Sequence, residues 1–171
     1  MNAVVSFAPL SGPQARVLIL GSMPGVASLQ AQQYYAHPRN HFWPIMASLV
    51  GVDVALPYGQ RVQALTASGV AVWDVLQSCV RPGSLDSAIQ PGTRVANDFA
   101  SFFNAHPAIR LVGFNGNEAE KSFKAYVLPG LQTAAAIRYV RLPSTSPAHA
   151  IGFEKKLAVW RKGLVPPEFA D

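Results

Sequence analysis

VLILGSMPG, residues 17–25, is a continuous apolar run from Val17 to Leu20, closed by Gly21 and a turn rich in glycine and proline. Four consecutive apolar residues without alternation suit a strand buried on both faces, as in a parallel sheet covered by helices. Three further runs share the pattern: Gly69 to Trp73 (GVAVW), Ile109 to Phe114 (IRLVGF) and Ile137 to Leu142 (IRYVRL), each ending in a polar or Gly/Pro-rich loop. Helical spacing fills the intervals, over Phe42 to Val50, Gln60 to Ser68, Thr93 to Ala105, Asn117 to Leu128 and Ala150 to Leu164. In the last of these, Phe153, Leu157, Trp160 and Leu164 share one face, while Lys155, Lys156, Arg161 and Lys162 fall elsewhere. Asn117 with Glu120 three residues on predicts a capping box. Strands alternating with helices specify an α/β fold, here a three-layer α/β/α sandwich around a central four-stranded, mostly parallel sheet. Sites in such folds lie beyond the carboxyl ends of the strands. Gly21 to Gly25, the Asp74 region, Asn115-Gly116 and Leu142 to Pro147 are therefore expected around one cleft.

The chain of 171 residues is 50% hydrophobic and only 13% charged, which sets aside disordered and coiled-coil classes and predicts a single domain over residues 1–171. The sparse charge is lopsided. Fourteen Lys and Arg against nine Asp and Glu leave a net +5, with an isoelectric point near 9.7, so an anionic partner is indicated, nucleic acid first. One cysteine, Cys79, permits no internal disulfide, and no Cys/His spacing suits a metal, so neither metal nor cofactor is expected. With no basic leader before an apolar stretch and no run of membrane-spanning length, the expectation is a soluble cytoplasmic monomer away from membranes.

The segment after the first strand is too rich for a simple connection. Tyr34, Tyr35, His37, Arg39, Asn40, His41, Phe42 and Trp43 crowd into ten residues. Aromatic rings interleaved with Arg and Asn suit stacking on a base beside a phosphate. Phe42, Trp43 and Ile45 also suit the opening of a core helix, and Trp43 is assigned to packing, whereas Tyr35 and Asn40 are assigned to function. The GSMPG loop fits any tight turn and lacks the spacing of a dinucleotide or P-loop motif. LPSTSPAH, residues 142–149, offers hydroxyls and backbone N–H groups to phosphate, and Ser146 with Pro147 equally reads as a helix start. Asp74, at a strand end, must be paired or must meet a ligand. Asn115 is a turn residue or a ligand contact. His37, His41 and His149 are candidate acid/base groups without a partner at a recognisable spacing, and the lysines fall on helices away from the strand ends, leaving no obvious Schiff-base nucleophile.

Together GSMPG, YYAHPRNHFW, GVAVWDVLQSCVRPGSLD with VGFNG, and LPSTSPAHA resemble, in that order, the uracil-DNA glycosylase superfamily. The resemblance implies that the first loop, including Gly21, Ser22 and Met23, lies near the scissile sugar and base. It implies that Tyr35 stacks on a flipped base, and that Ser144, Thr145 and Ser146, with Arg39 and His149, meet DNA. Ser146 takes the place of the apolar tip used by other branches. Two departures stand out. The uracil and mismatch branches carry Asp, Asn or Glu in the first loop, where this chain has Met23 or its neighbours, and they open the last loop with His or Asn, where this chain has Leu142. That pattern is similar to the hypoxanthine-DNA glycosylase branch, whose catalytic asparagine matches Asn40 and whose second functional asparagine matches Asn115.

The resemblance implies a DNA-deoxyinosine glycosylase that flips hypoxanthine out of double- or single-stranded DNA and hydrolyses the N-glycosidic bond. Asn40 would orient water or polarise the purine, Tyr35 would stack on it, and Asn115 would hydrogen-bond an edge. Asp74, where uracil-specific relatives use Asn, would accept the N1–H as an acceptor-only carboxylate. Without a lysine at the site, the enzyme is expected to leave an abasic product in an unbroken strand. The alternatives are a uracil- or mismatch-specific glycosylase, a DNA-binding relative without catalysis, and a small-molecule α/β hydrolase, the last disfavoured by the missing nucleophile elbow. On this reading the positive charge is local, with Arg39, Arg81, Arg141 and Lys155, Lys156, Arg161 and Lys162 near the site.

Overall fold

The computed structural model describes residues 2–132 and 136–164. Strands β1 (Val4–Val5) and β2 (Val17–Gly21) are followed by helices α1 (Val26–Ala31), α2 (Phe42–Val50) and α3 (Tyr58–Ala67), then strands β3 (Val70–Asp74), β4 (Leu76–Cys79) and β5 (Val95–Ala96). Helix α4 (Phe99–Ala105), strand β6 (Leu111–Asn115), helix α5 (Asn117–Tyr126), strand β7 (Arg138–Leu142) and helix α6 (Phe153–Leu164) complete the chain.

The main sheet has the order β3-β2-β6-β7, and all three pairings are parallel. β2 runs through its middle with every residue buried, which is why its apolar run does not alternate. Its side chains nevertheless sort by the strand's period of two. Val17 and Ile19 join a core with Phe42, Ile45, Met46, Leu65, Trp160 and Leu164 from α2, α3 and α6. Leu18 and Leu20 join another with Phe99, Phe102, Phe103 and Phe123 from α4 and α5. Helices thus cover both faces, giving the three layers expected.

A second, smaller sheet of order β1-β4-β5 was not anticipated. Val95–Ala96 pair antiparallel with β4, so the expected helix from Thr93 shortens to α4, which starts after Asp98, whose Oδ1 accepts from the Ser101 N–H at 3.1 Å. The β-branched residues before this cap find strand partners instead. Val4–Val5 pair with β4 in the small sheet, and Leu10 bridges Val72, so the N-terminal segment also covers the outer edge of β3.

Two capping expectations are corrected. Gly116 caps α5, and the Asn117 Oδ1 accepts from Arg141 Nη1 rather than closing a box with Glu120. After Pro147 the chain forms turns, with the Ser146 Oγ accepting from the Ala148 N–H, and α6 begins only at Phe153, beyond Gly152. Lys156, expected off the apolar face of α6, is fully buried on the face shared by Trp160 and Leu164.

Candidate active site

The ends of the four parallel strands open into one cleft of about 1200 Å³. Its lining draws on the segments predicted to meet there: 21–28, 34–40, Asp74, 115–118 and 141–149. A sixth segment, 84–87, was not foreseen.

Gly21 forms the floor. A Cβ at this position would lie 2.5 Å from the Asp74 Oδ1 and 3.1 Å from the Tyr35 Oη, so the absence of a side chain lets two polar groups converge over the backbone. Asp74 is 3% exposed, and its Oδ2 has no hydrogen-bond partner. Burial, reinforced by the negative charge of Asp86 and opposed by the Arg81 guanidinium, pushes its carboxyl up to about 7. The acceptor-only reading of Asp74 is thereby changed: near neutral pH it is also an O–H donor. Ser22 donates to the Asp86 Oδ1 at 2.6 Å, and the Met23 side chain is buried. Arg81 is buried too, donating to the carbonyls of Pro24 at 2.6 Å and Gly83 at 2.8 Å. It ties two loops together beside the cleft.

The aromatic segment is anchored by Tyr34, whose hydroxyl donates to the Ala8 carbonyl, whose N–H donates to the Tyr58 Oη and whose carbonyl accepts from Trp43 Nε1. This anchoring holds the next residue, Tyr35, at φ 55°, an uncommon conformation for a large side chain. One face of the Tyr35 ring stacks on Phe42, with centroids 4.2 Å apart and planes at 20°. Its hydroxyl is buried without a partner in hydrogen-bonding geometry, and burial and the Asp74 charge raise its pKa against the opposing influence of the Asn115 amide. The Asn40 Oδ1 accepts from the Phe42 N–H at 2.9 Å at the start of α2, and Asn40 lines the cleft. The assignment of Trp43 to packing holds, since it is 5% exposed.

The last loop is fastened from within. Asn115, expected to meet a base edge, donates from Nδ2 to the Thr145 Oγ1 at 3.0 Å and accepts from the Thr145 N–H at 2.9 Å. One N–H and one lone pair of that amide remain. The Thr145 carbonyl accepts from the His41 N–H, the Pro143 carbonyl from Trp160 Nε1, and the Ser146 carbonyl from Lys156 Nζ at 3.1 Å. The Ser144 Oγ accepts from the Ser146 N–H. Gly116, at φ 99°, lets the chain pass Ser144, whose Cβ would lie 3.2 Å from an added Cβ. The loop thus presents Ser144 and Ser146 on a stiff backbone, with the buried Lys156 ammonium beneath.

Arg39, Arg141, Lys121, His37 and His149 stand around the cleft, whereas Lys155, Arg161 and Lys162 are exposed on α6 outside its lining. Lys121 corrects the expectation that no lysine approaches the strand ends. His41 lies behind the last loop, edge-on to Phe153, and burial and the Lys156 charge lower its pKa. Among the described residues no group of three or more His, Cys, Asp or Glu could hold a metal ion. Nor is any helix long and apolar enough to cross a membrane. Sequence reasoning missed Ser84 and Asp86, and it named Arg81 and Lys156 only as charge near the site, without their burial. The only signal for Ser84 and Asp86 was their place within RPGSLD, and none marked the burial of Lys156, which depends on packing between α6 and the loop.

An α/β/α sandwich with a cleft at its strand ends, flanked by aromatic, amide and hydroxyl groups, has the layout that the resemblance read from the sequence implies, and comparison with known proteins agrees. The family model described as the uracil DNA glycosylase superfamily matches residues 8–163. The chain belongs to the uracil DNA glycosylase superfamily. It is 35% identical over 114 residues to a hypoxanthine DNA glycosylase of Methanosarcina barkeri, covering 66% of this chain and 71% of that one. To a hypoxanthine DNA glycosylase of Methanosarcina acetivorans it is 36% identical over 104 residues, or 60% and 65% of the two chains. The solution NMR structure of a candidate uracil DNA glycosylase from Methanosarcina acetivorans superposes with a TM-score of 0.76 at 29% identity, covering 94% of this chain and 98% of that one.

Proposed function

We propose that this chain is a single-domain, monofunctional DNA-deoxyinosine glycosylase that works as a cytoplasmic monomer. The observation that carries the reading is the juxtaposition of Asn40, which lines the cleft, and a first loop without any carboxylate or amide, in a chain similar to two hypoxanthine DNA glycosylases. Asn40 is the amide placed to orient water or to polarise the purine. The hypoxanthine base enters over Gly21 and stacks on the Tyr35 ring, whose other face rests on Phe42. Asp74 reads the lactam edge. In its neutral form the C=O accepts the N1–H, and the O–H donates to O6, where negative charge accumulates as the bond to the sugar breaks. A neutral acid does this without placing an anion against an anionic leaving group. Asn115 acts as a positioning residue through Thr145, and Ser144, Thr145, Ser146, Arg39 and His149 meet the phosphates and sugar on either side. Lys156 is enclosed under the last loop with its ammonium on the Ser146 carbonyl, and Lys121 is the one lysine in the cleft lining among the described residues, so an abasic product in an unbroken strand is expected as long as Lys121 does not reach the sugar carbon.

The test is a purified-protein assay on labelled oligonucleotides carrying deoxyinosine, deoxyuridine or a G·T mismatch. Release of hypoxanthine, with strand breakage only after alkali, is expected; release of uracil alone would overturn the assignment. The second reading, a uracil-directed enzyme, is favoured by one observation: the edge Asp74 can read, N–H beside C=O, is also present on uracil.

A further inference from the structure

Leu85 is 56% exposed, yet it lies at the rim of the cleft in a loop braced by hydrogen bonds to other segments. Its two neighbours are tied to the segment after β2: the Ser84 Oγ accepts from the Val26 N–H at 2.8 Å, and the Asp86 Oδ1 accepts from Ser22 at 2.6 Å. The Leu85 carbonyl accepts from the Ala88 N–H, opening the short 3-10 turn over Asp86–Ala88. Just upstream, the buried Arg81 joins Gly83 to Pro24. Ser84 and Asp86 on either side are each held by a hydrogen bond to the segment after β2, and between them the apolar Leu85 side chain stands in solvent.

The opposite rim has no equivalent. The tip of the last loop carries Ser146, Pro147, Ala148 and His149, and the next large apolar residue, Ile151, is 37% exposed beside Gly152, which has open space around it. Extruding a nucleotide leaves a gap in the base stack, and proteins that distort duplexes fill such gaps with apolar side chains. A rigid support favours insertion, because little conformational freedom is lost when the side chain enters. The two loops stand over opposite edges of the sheet, since β4 continues from the edge strand β3 and the last loop follows the other edge strand, β7.

We propose that Leu85 is the wedge that enters the duplex stack when the target nucleotide is extruded, the role falling to the loop after β4 because the last loop has no apolar tip. The inference rests on the glycosylase reading. It makes Leu85 a positioning residue that matters for duplex DNA and not for single strands, which have no paired stack to fill.

Single-turnover rates of the wild type, Leu85→Ala and Ile151→Ala would be compared on one deoxyinosine oligonucleotide as a single strand and as a duplex. For Leu85→Ala the ratio of duplex to single-strand rate is expected to fall at least tenfold, and for Ile151→Ala less than threefold. A Leu85→Ala ratio within twofold of wild type, an equal loss on both substrates, or a loss confined to Ile151→Ala would overturn the proposal. If wild type released no base from either substrate, the glycosylase reading would fail. The wedge would then be read from 2-aminopurine fluorescence opposite an abasic site in a bound duplex. Binding should raise that signal with wild type and not with Leu85→Ala, and an equal rise with both would overturn the wedge.

Discussion

The last loop and the cleft floor lie a few residues apart around the same cavity and are built on opposite rules. Residues 143–146 turn their backbone groups inward, onto Asn115, His41, Lys156 and Trp160. The floor and its aromatic wall leave the Tyr35 Oη and the Asp74 Oδ2 buried with no partner. Each such atom costs about 1–3 kcal/mol in the free protein. A satisfied loop holds its shape before DNA arrives and positions what it touches. An unsatisfied floor gains most when a polar ligand enters. The difference teaches which part is scaffold and which part reads the base, and four substitutions would break or sharpen it.

The largest effect is expected at Asp74. Its folded-state pKa, raised from 3.8 to about 7, means that the folded protein holds a proton the unfolded chain has released. The destabilisation is therefore absent at pH 4, grows as pH rises, and is complete above pH 7. Asp74→Asn should leave stability at pH 4 nearly unchanged and raise it at pH 8 by an upper bound of about 4 kcal/mol, measured by denaturant unfolding. In kinetics, wild-type kcat/KM should decline with pH through about 7, and the decline should vanish in Asp74→Asn. A pH-independent wild type would sink the neutral-acid reading.

Next is Asn40→Ala, for which a fall in kcat of about 100-fold or more is expected on deoxyinosine, with a stability loss of about 1 kcal/mol from the lost bond to Phe42. Full activity in this variant would remove Asn40 from the chemistry while leaving the fold and the cleft in place. Asn115→Ala should destabilise by about 2 kcal/mol, since it strands the Thr145 hydroxyl and N–H. An unchanged unfolding midpoint would contradict the description of the last loop as a fixed scaffold. The smallest change is expected from Lys156→Met, within about 1 kcal/mol in stability, because a buried cation held only by a carbonyl is replaced by an apolar side chain of similar length. Its DNA affinity, measured by titration at several salt concentrations, should weaken a few-fold as the positive charge under the loop is lost.

Much of this was legible in one dimension. The apolar runs at β2, β3 and β6 marked the main sheet to within about two residues because strands buried on both faces leave no polar residue to interrupt them, and the edge strand β7 was found by its β-branched and aromatic residues despite Arg138 and Arg141. The crowding of Tyr35 and Asn40 into an otherwise unnecessary insertion marked one wall of the cleft. The small sheet escaped notice because its strands are two to four residues long and pair across distant segments. Lys156 and Arg81 were read only as positive charge near the site, and their burial escaped notice because composition and spacing register a cation but not what lies over it.

By itself the sequence determined the layering, the position of the cleft at the strand ends and the family, all properties carried by local apolar patterning and by short motifs whose order does not depend on contact distances. Only the tertiary structure decided which polar groups are satisfied. It closed Asn115 on Thr145, left the Asp74 and Tyr35 oxygens without partners over Gly21, and moved the Asp74 carboxyl into the neutral range. Hydrogen-bond satisfaction and desolvation depend on what approaches from other parts of the chain, and that is settled when the layers pack.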